Sequence, residues 1–204
     1  MLGYIIFRLL GCNTLHWQCL DKPFQSHWDD ITQLAAIGGV VFASGPTIIT
    51  GIIVPSLLSF IGAMFTFGAL GESPFLLVSL NSAATWQPPA LYVYIVAILL
   101  VILMISYSLW ASTSRYDTAV TVCIMTGMIV LYSSAAGVAY AAGLTNVSFH
   151  PHHFMIAWHL SLLFRNRSDA PSILIRWILL GVCVQGIAAY SPASILSDGQ
   201  SCTN

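Results

Sequence analysis

Two stretches decide the fold: Ala90 to Trp110 (ALYVYIVAILLVILMISYSLW) and Ala119 to Gly143 (AVTVCIMTGMIVLYSSAAGVAYAAG). Neither holds an acidic, basic or histidine side chain. Each exceeds the roughly 20 residues that a helix needs to cross about 30 Å of hydrocarbon. Both read as transmembrane helices. Between them Ser112, Thr113, Ser114, Arg115 and Asp117 form a short polar connection, so the pair reads as a helical hairpin.

Working outward, the composition agrees. The 204 residues are 57% hydrophobic and 6% charged, with a mean hydropathy of +0.84. A soluble domain carries about 25% charged residues, so this chain cannot clothe a water-facing surface. Six Lys/Arg against seven Asp/Glu leave no basic patch for a phosphate backbone, which argues against nucleic-acid binding. The natural partners are membrane lipids. The fold expected is all-α, a polytopic transmembrane bundle of about five spans, or six if one is short or re-entrant.

The uncharged run from Ile31 to Gly71 is too long for one crossing and must break, with Gly45-Pro46 the expected place. Thr47 to Gly71 then crosses, with Pro55 as a kink. Ile31 to Ser44 lies at the interface, dips in and returns, or completes a tilted sixth crossing. Pro171 to Tyr190 reads as another span, with Arg176 one turn inside and snorkelling to the headgroups. Pro151 to Phe164 (PHHFMIAWHLSLLF) is either a short crossing or a re-entrant segment. The division expected is a cytoplasmic or interfacial segment over 1–30, a single membrane domain over 31–190 and a short polar tail over 191–204.

Cytoplasmic loops carry an excess of Lys and Arg. Counting 31–71 as one net crossing places Arg8, Lys22, Arg115, Arg165, Arg167 and Arg176 on one side, with the N-terminus cytoplasmic. Cys12 and Cys19 then read as free thiols or palmitoylation sites, and Cys123 and Cys183 as packing residues. Asp29 and Asp30 read as solvated residues ahead of the apolar run.

Four of the six histidines fall within Phe149 to His159 (FHPHHFMIAWH). Imidazole is a common metal ligand, so His150, His152, His153 and His159 are the candidate metal residues, with zinc or copper the metals to consider. On a helix, His152 and His159 lie about 10.5 Å apart along the axis, too far to share one zinc. A site at the mouth would join His150 with His152 or His153 and a carboxylate from Glu72 or Asp198. His159, at membrane depth, could ligate haem, relay a proton or hydrogen-bond a neighbouring helix. Its bonding partners could be Gln185, Tyr132 or Tyr140. Trp158-His159-Leu160 resembles a fragment of the last-helix motif of alkaline ceramidases and related membrane zinc hydrolases. The resemblance would imply a metal-bound water that cleaves an amide. That family places histidines four apart, whereas Met155 stands four before His159.

Ser133, Gly137 and Ala141 form a stripe of small residues that permits close helix packing in lipid, either within the chain or with a partner helix. The functions expected are structural or accessory, with metal-dependent catalysis or metal handling and small-solute or proton transport as alternatives. No G-x-S-x-G elbow or P-loop occurs, so catalysis has no named nucleophile.

Overall fold

The computed structural model describes residues 1–17, 19, 21–43, 52–72, 88–112, 114–141, 147–149, 153–165, 167–190 and 196–198. The described residues form α1 (Leu2–Phe7), which continues as a π-helical stretch (Arg8–Thr14), then α2 (Phe24–Ala43), α3 (Ile53–Gly71), α4 (Pro88–Trp110) and α5 (Arg115–Ala141). The strand β1 (Val147–Phe149), α6 (His153–Leu162), α7 (Ala170–Tyr190) and the strand β2 (Leu196–Asp198) follow. Apart from the two three-residue strands, the architecture is helical. Among the described residues, four helices are long and apolar enough to cross a membrane: Ile53–Gly71, Leu91–Trp110, Arg115–Val138 and Ala170–Ala189.

Local chemistry sets the ends. Asp169 caps α7, its Oδ2 accepting the Ser172 N–H at 3.0 Å, and Ser114 Oγ accepts the Asp117 N–H at 3.1 Å at the start of α5. Pro55 falls in the first turn of α3. There its missing N–H costs nothing, so no kink is needed. The expected break at Gly45-Pro46 lies outside the described residues.

The core is built around α7. Two thirds of its spanning window (67%) is buried, against 6% for each of α4 and α5. On α7, Ile173, Leu179, Val182, Cys183, Ile187 and Ala188 are buried, and α3, α6 and α1 pack around it. The closest approach is at Gly181, where a Cβ would collide with the backbone carbonyl oxygen of Phe60 on α3. At the next turns of α3, Gly68 lies against the Trp17 and Phe7 rings. Phe7, Trp17 and Phe65 form an aromatic trio with centroids 5.6 to 5.9 Å apart.

These contacts fix directions. Phe60 meets Gly181 and Trp177, while Gly68 meets Phe7, whose neighbour Arg8 reaches Ala188. Hence α3 runs parallel to α7. In α2, Asp30 sits near the C-terminus of α7 through Lys22, whereas the Val41 carbonyl accepts Arg176 Nη2 at 2.7 Å near the N-terminal end. Hence α2 runs antiparallel to both. The described helices α2 and α3 therefore form an antiparallel pair, where the sequence reading counted residues 31–71 as one net crossing.

Five of the six cationic side chains donate to carbonyls at or near helix C-termini. Arg8 and Lys22 serve α7, Arg165 serves α6, Arg167 serves α4 and Arg176 serves α2. The last carbonyls of a helix lack intrahelical partners and carry partial negative charge. Two expectations are corrected by this. Arg176 is 2% exposed and does not snorkel. Arg8 and Lys22 lie at one end of α7 while Arg165 and Arg167 lie at the other, about 30 Å away, so the basic residues do not gather at one end of the bundle. Residues 2–7 pack against the bundle through Tyr4 and Phe7, both buried.

Candidate functional site

The polar groups gather at the C-terminal end of α7. Lys22 Nζ donates to Asp30 Oδ2 at 2.8 Å, to the Ile187 carbonyl at 2.9 Å and to the Ala188 carbonyl at 3.1 Å. Three donors meet three acceptors, so the ammonium is saturated. The ion pair is enclosed, with side chains 3% and 2% exposed. Asp30 Oδ2 also accepts the Tyr4 hydroxyl at 2.8 Å. The tyrosine has one proton and gives it to the carboxylate. The 2.7 Å contact between Tyr4 Oη and His27 Nδ1 is therefore a bond donated by Nδ1–H. A directed chain results: His27 to Tyr4 to Asp30, with Lys22 meeting it from the other side.

Burial first, and then the hydrogen bond and charge of Asp30, push the Tyr4 hydroxyl well above its ordinary range. Burial holds Lys22 below its ordinary value against the pull of Asp30. His27 is also held down, by burial first and then by the Arg8 and Lys22 charges, with Asp30 opposing. The expectation that Asp30 is solvated is corrected here: it is 1% exposed, because the backbone of α2 points it at Lys22 and Tyr4.

Beside the cluster, Cys12 and Cys19 are joined in a disulfide with Cα atoms 5.6 Å apart. This corrects the reading of both as free thiols. The chain reverses at His16, whose φ of 53° lies in the left-handed region, bringing Trp17 back onto Gly11 and Gly68. Arg8 Nη1 reaches both Cys12 Sγ at 3.7 Å and the Ala188 carbonyl at 3.3 Å. The staple and the α7 cap thus share one guanidinium.

At the opposite end, Arg167 Nη2 donates to the Ser108 carbonyl at 3.0 Å and to Ser112 Oγ at 2.9 Å, and Nη1 to the Ala111 carbonyl. Ser108 Oγ in turn donates to the Leu163 carbonyl at 2.9 Å. Tyr107 Oη donates to Asp169 Oδ2 at 2.7 Å. Burial works against the Asp169 carboxylate, but bonds from Ser172 and Tyr107 hold it below the ordinary range.

Of the sequence-derived metal candidates, His150 and His152 lie outside the described residues, and His153 opens α6. His159 is described. Its Nδ1 is 2.7 Å from the Met155 carbonyl, which requires Nδ1–H as donor, and 3.4 Å from Tyr132 Oη. The Tyr132 ring stands edge-on to it at 5.9 Å. The expected contact between His159 and the α5 helix is present at Tyr132, while Tyr140 is 91% exposed. Among the described residues no group of three His, Cys, Asp or Glu side chains could hold a metal ion. Strand pairing sets Asp198 opposite Val147, three positions before His150.

The Lys22–Asp30–Tyr4–His27 cluster was missed from sequence. Its one signal was a lysine and an aspartate flanking the start of an apolar run, with no spacing rule to join them to Tyr4 or to α7. Comparison with protein-family models, with curated proteins and with solved structures finds no match to this chain.

Proposed function

We propose that the chain is a multi-pass membrane protein of structural or accessory type, in which α3, α4, α5 and α7 each cross and the apolar 31–43 part of α2 and the short α6 complete the path. The α4–α5 hairpin is the surface it offers to the surrounding bilayer and to a partner helix. One observation carries this reading: α7 is two-thirds buried, whereas α4 and α5 are 6% buried. The polar groups described above cap helices and join them to one another, which favours a structural role over a catalytic one. His159 fits this reading, its Nδ1 committed to Met155 and close to Tyr132.

On α5, Ser133, Gly137 and Ala141 face outward, and a Cβ on Gly137 would meet nothing within 4 Å. Small residues let helix backbones approach closely in lipid, where van der Waals packing drives association. A photo-crosslinking residue at Gly137 should capture a protein in native membranes, and Ser133→Leu should abolish that capture. Adducts with lipid alone would remove the partner helix from the reading. Metal analysis of the same purified protein addresses the competing chemistry. Stoichiometric zinc or copper that is lost on His152→Ala or His153→Ala would replace the structural reading with a metal-handling one.

A further inference from the structure

We propose that the end of the bundle formed by the C-terminus of α7 faces an oxidising, non-cytosolic compartment, where the Cys12–Cys19 bond is made and holds the N-terminal loop over that helix. The inference rests on the reading of the bundle as membrane-spanning. It reverses the orientation expected from counting basic residues along the sequence.

The disulfide is the first support. Such bonds persist outside the cytosol, where thiols are kept reduced. Closing it removes one proton and one electron from each thiol. A dithiol–disulfide exchange protein of that compartment accepts both electrons and both protons as its own disulfide opens to two thiols. The loop it closes is fastened to one end of the bundle: Arg8 contacts both Cys12 and Ala188, and Trp17 fills the space left by Gly68 and Gly11.

Charge is the second support, independent of the first. Arg115, Arg165 and Arg167 all lie at the opposite end, in the connections leading into α5 and out of α6. At the disulfide end the two basic residues are Arg8 and Lys22. Of these two, Lys22 is neutralised in the enclosed ion pair with Asp30, whereas among the described residues the three arginines of the opposite end form no ion pair. The positive-inside tendency counts Lys and Arg near span ends, and it places the Arg115, Arg165 and Arg167 end in the cytosol. The two observations give one orientation.

The test uses the full chain with Cys123→Ser and Cys202→Ser, in sealed vesicles with the cytosolic face outward. Thiols are first blocked in denaturant; the protein is then reduced and treated with a polyethylene-glycol maleimide. Two added polymer chains are expected, from Cys12 and Cys19, and none would overturn the disulfide. Separately, Ser114→Cys and Gln25→Cys place new thiols at exposed positions of opposite ends. An impermeant maleimide should label Ser114→Cys in intact vesicles and Gln25→Cys only after permeabilisation; the reverse pattern overturns the orientation. Release of the chain by alkaline carbonate would overturn the membrane reading itself, an outcome distinct from either labelling result.

Discussion

The backbone carbonyl of Phe60 on α3 lies against the α-carbon of Gly181 on α7, with no space for a methyl group between them. Two parallel helices are thereby drawn to backbone contact at one point, and the aromatic packing on either side depends on that approach. Gly181→Ala should push α3 from α7. Overpacking typically costs about 1 to 3 kcal/mol, read as a lower thermal midpoint in detergent. Gly127→Ala, where nothing lies within 4 Å, should leave the midpoint unchanged or slightly raised.

Removing one partner of the enclosed pair leaves the other charge buried. Asp30→Asn should therefore cost on the order of 3 to 5 kcal/mol. Replacing both partners by Lys22→Met with Asp30→Leu should recover part of that loss, because no lone charge then remains. A double-mutant cycle by chemical denaturation measures the coupling. Additive losses would show that Lys22 acts through the α7 carbonyls alone.

The pH dependence follows from His27. Its folded value lies below the ordinary imidazole value of 6.5, so the unfolded chain binds the proton more readily. The stability it contributes is complete above pH 6.5 and is lost as pH falls through the folded value. Thermal midpoints should fall on acidification below pH 6.5, with a slope no steeper than about 1.4 kcal/mol per pH unit from this one group. His27→Gln should remove that component; an unchanged profile would locate the sensitivity elsewhere.

Arg167 ties α4 to the core at one end through the Ser108 and Ala111 carbonyls and the Ser112 hydroxyl. Arg167→Met should cost about 1.5 to 3 kcal/mol, the range for hydrogen bonds to a charged group. It should also raise hydrogen exchange at residues 108–112 while α7 remains protected. Arg167→Lys should rescue little, since an ammonium cannot reproduce the planar fork that spans Ser108, Ala111 and Ser112.

Much of this fold was legible as hydropathy. Ala90 to Trp110 appears as Pro88–Trp110, Ala119 to Gly143 as Arg115–Ala141, and Pro171 to Tyr190 as Ala170–Tyr190, because an uncharged run of membrane length has few other solutions. The antiparallel pairing of α2 with α3 was harder to see. The polar first turns of α2, with His27, Asp29 and Asp30, hide a 20-residue helix that the apolar count begins only at Ile31. The cation roles were not legible at all. A span-end arginine that snorkels and one that stops a neighbouring helix have the same local sequence. Arg176 and Val41 are 135 residues apart, as Lys22 and Ile187 are 165 apart. The histidine segment shows the converse: density in sequence drew attention to it, while its described member His159 is engaged locally by Met155.

The helix that organises the core is also made after every helix it joins. α3, α6 and α1 bury their inner faces on α7, and the capping bonds of Arg8 and Lys22 end on its last turn. While the chain emerges from N- to C-terminus, the segments before residue 170 have no native centre to close on. Until then Arg8 and Lys22 lack the Ile187 and Ala188 carbonyls on which they end. Assembly is therefore set by the arrival of one late segment, and a chaperone or insertion factor that shields the waiting helices would act before that moment.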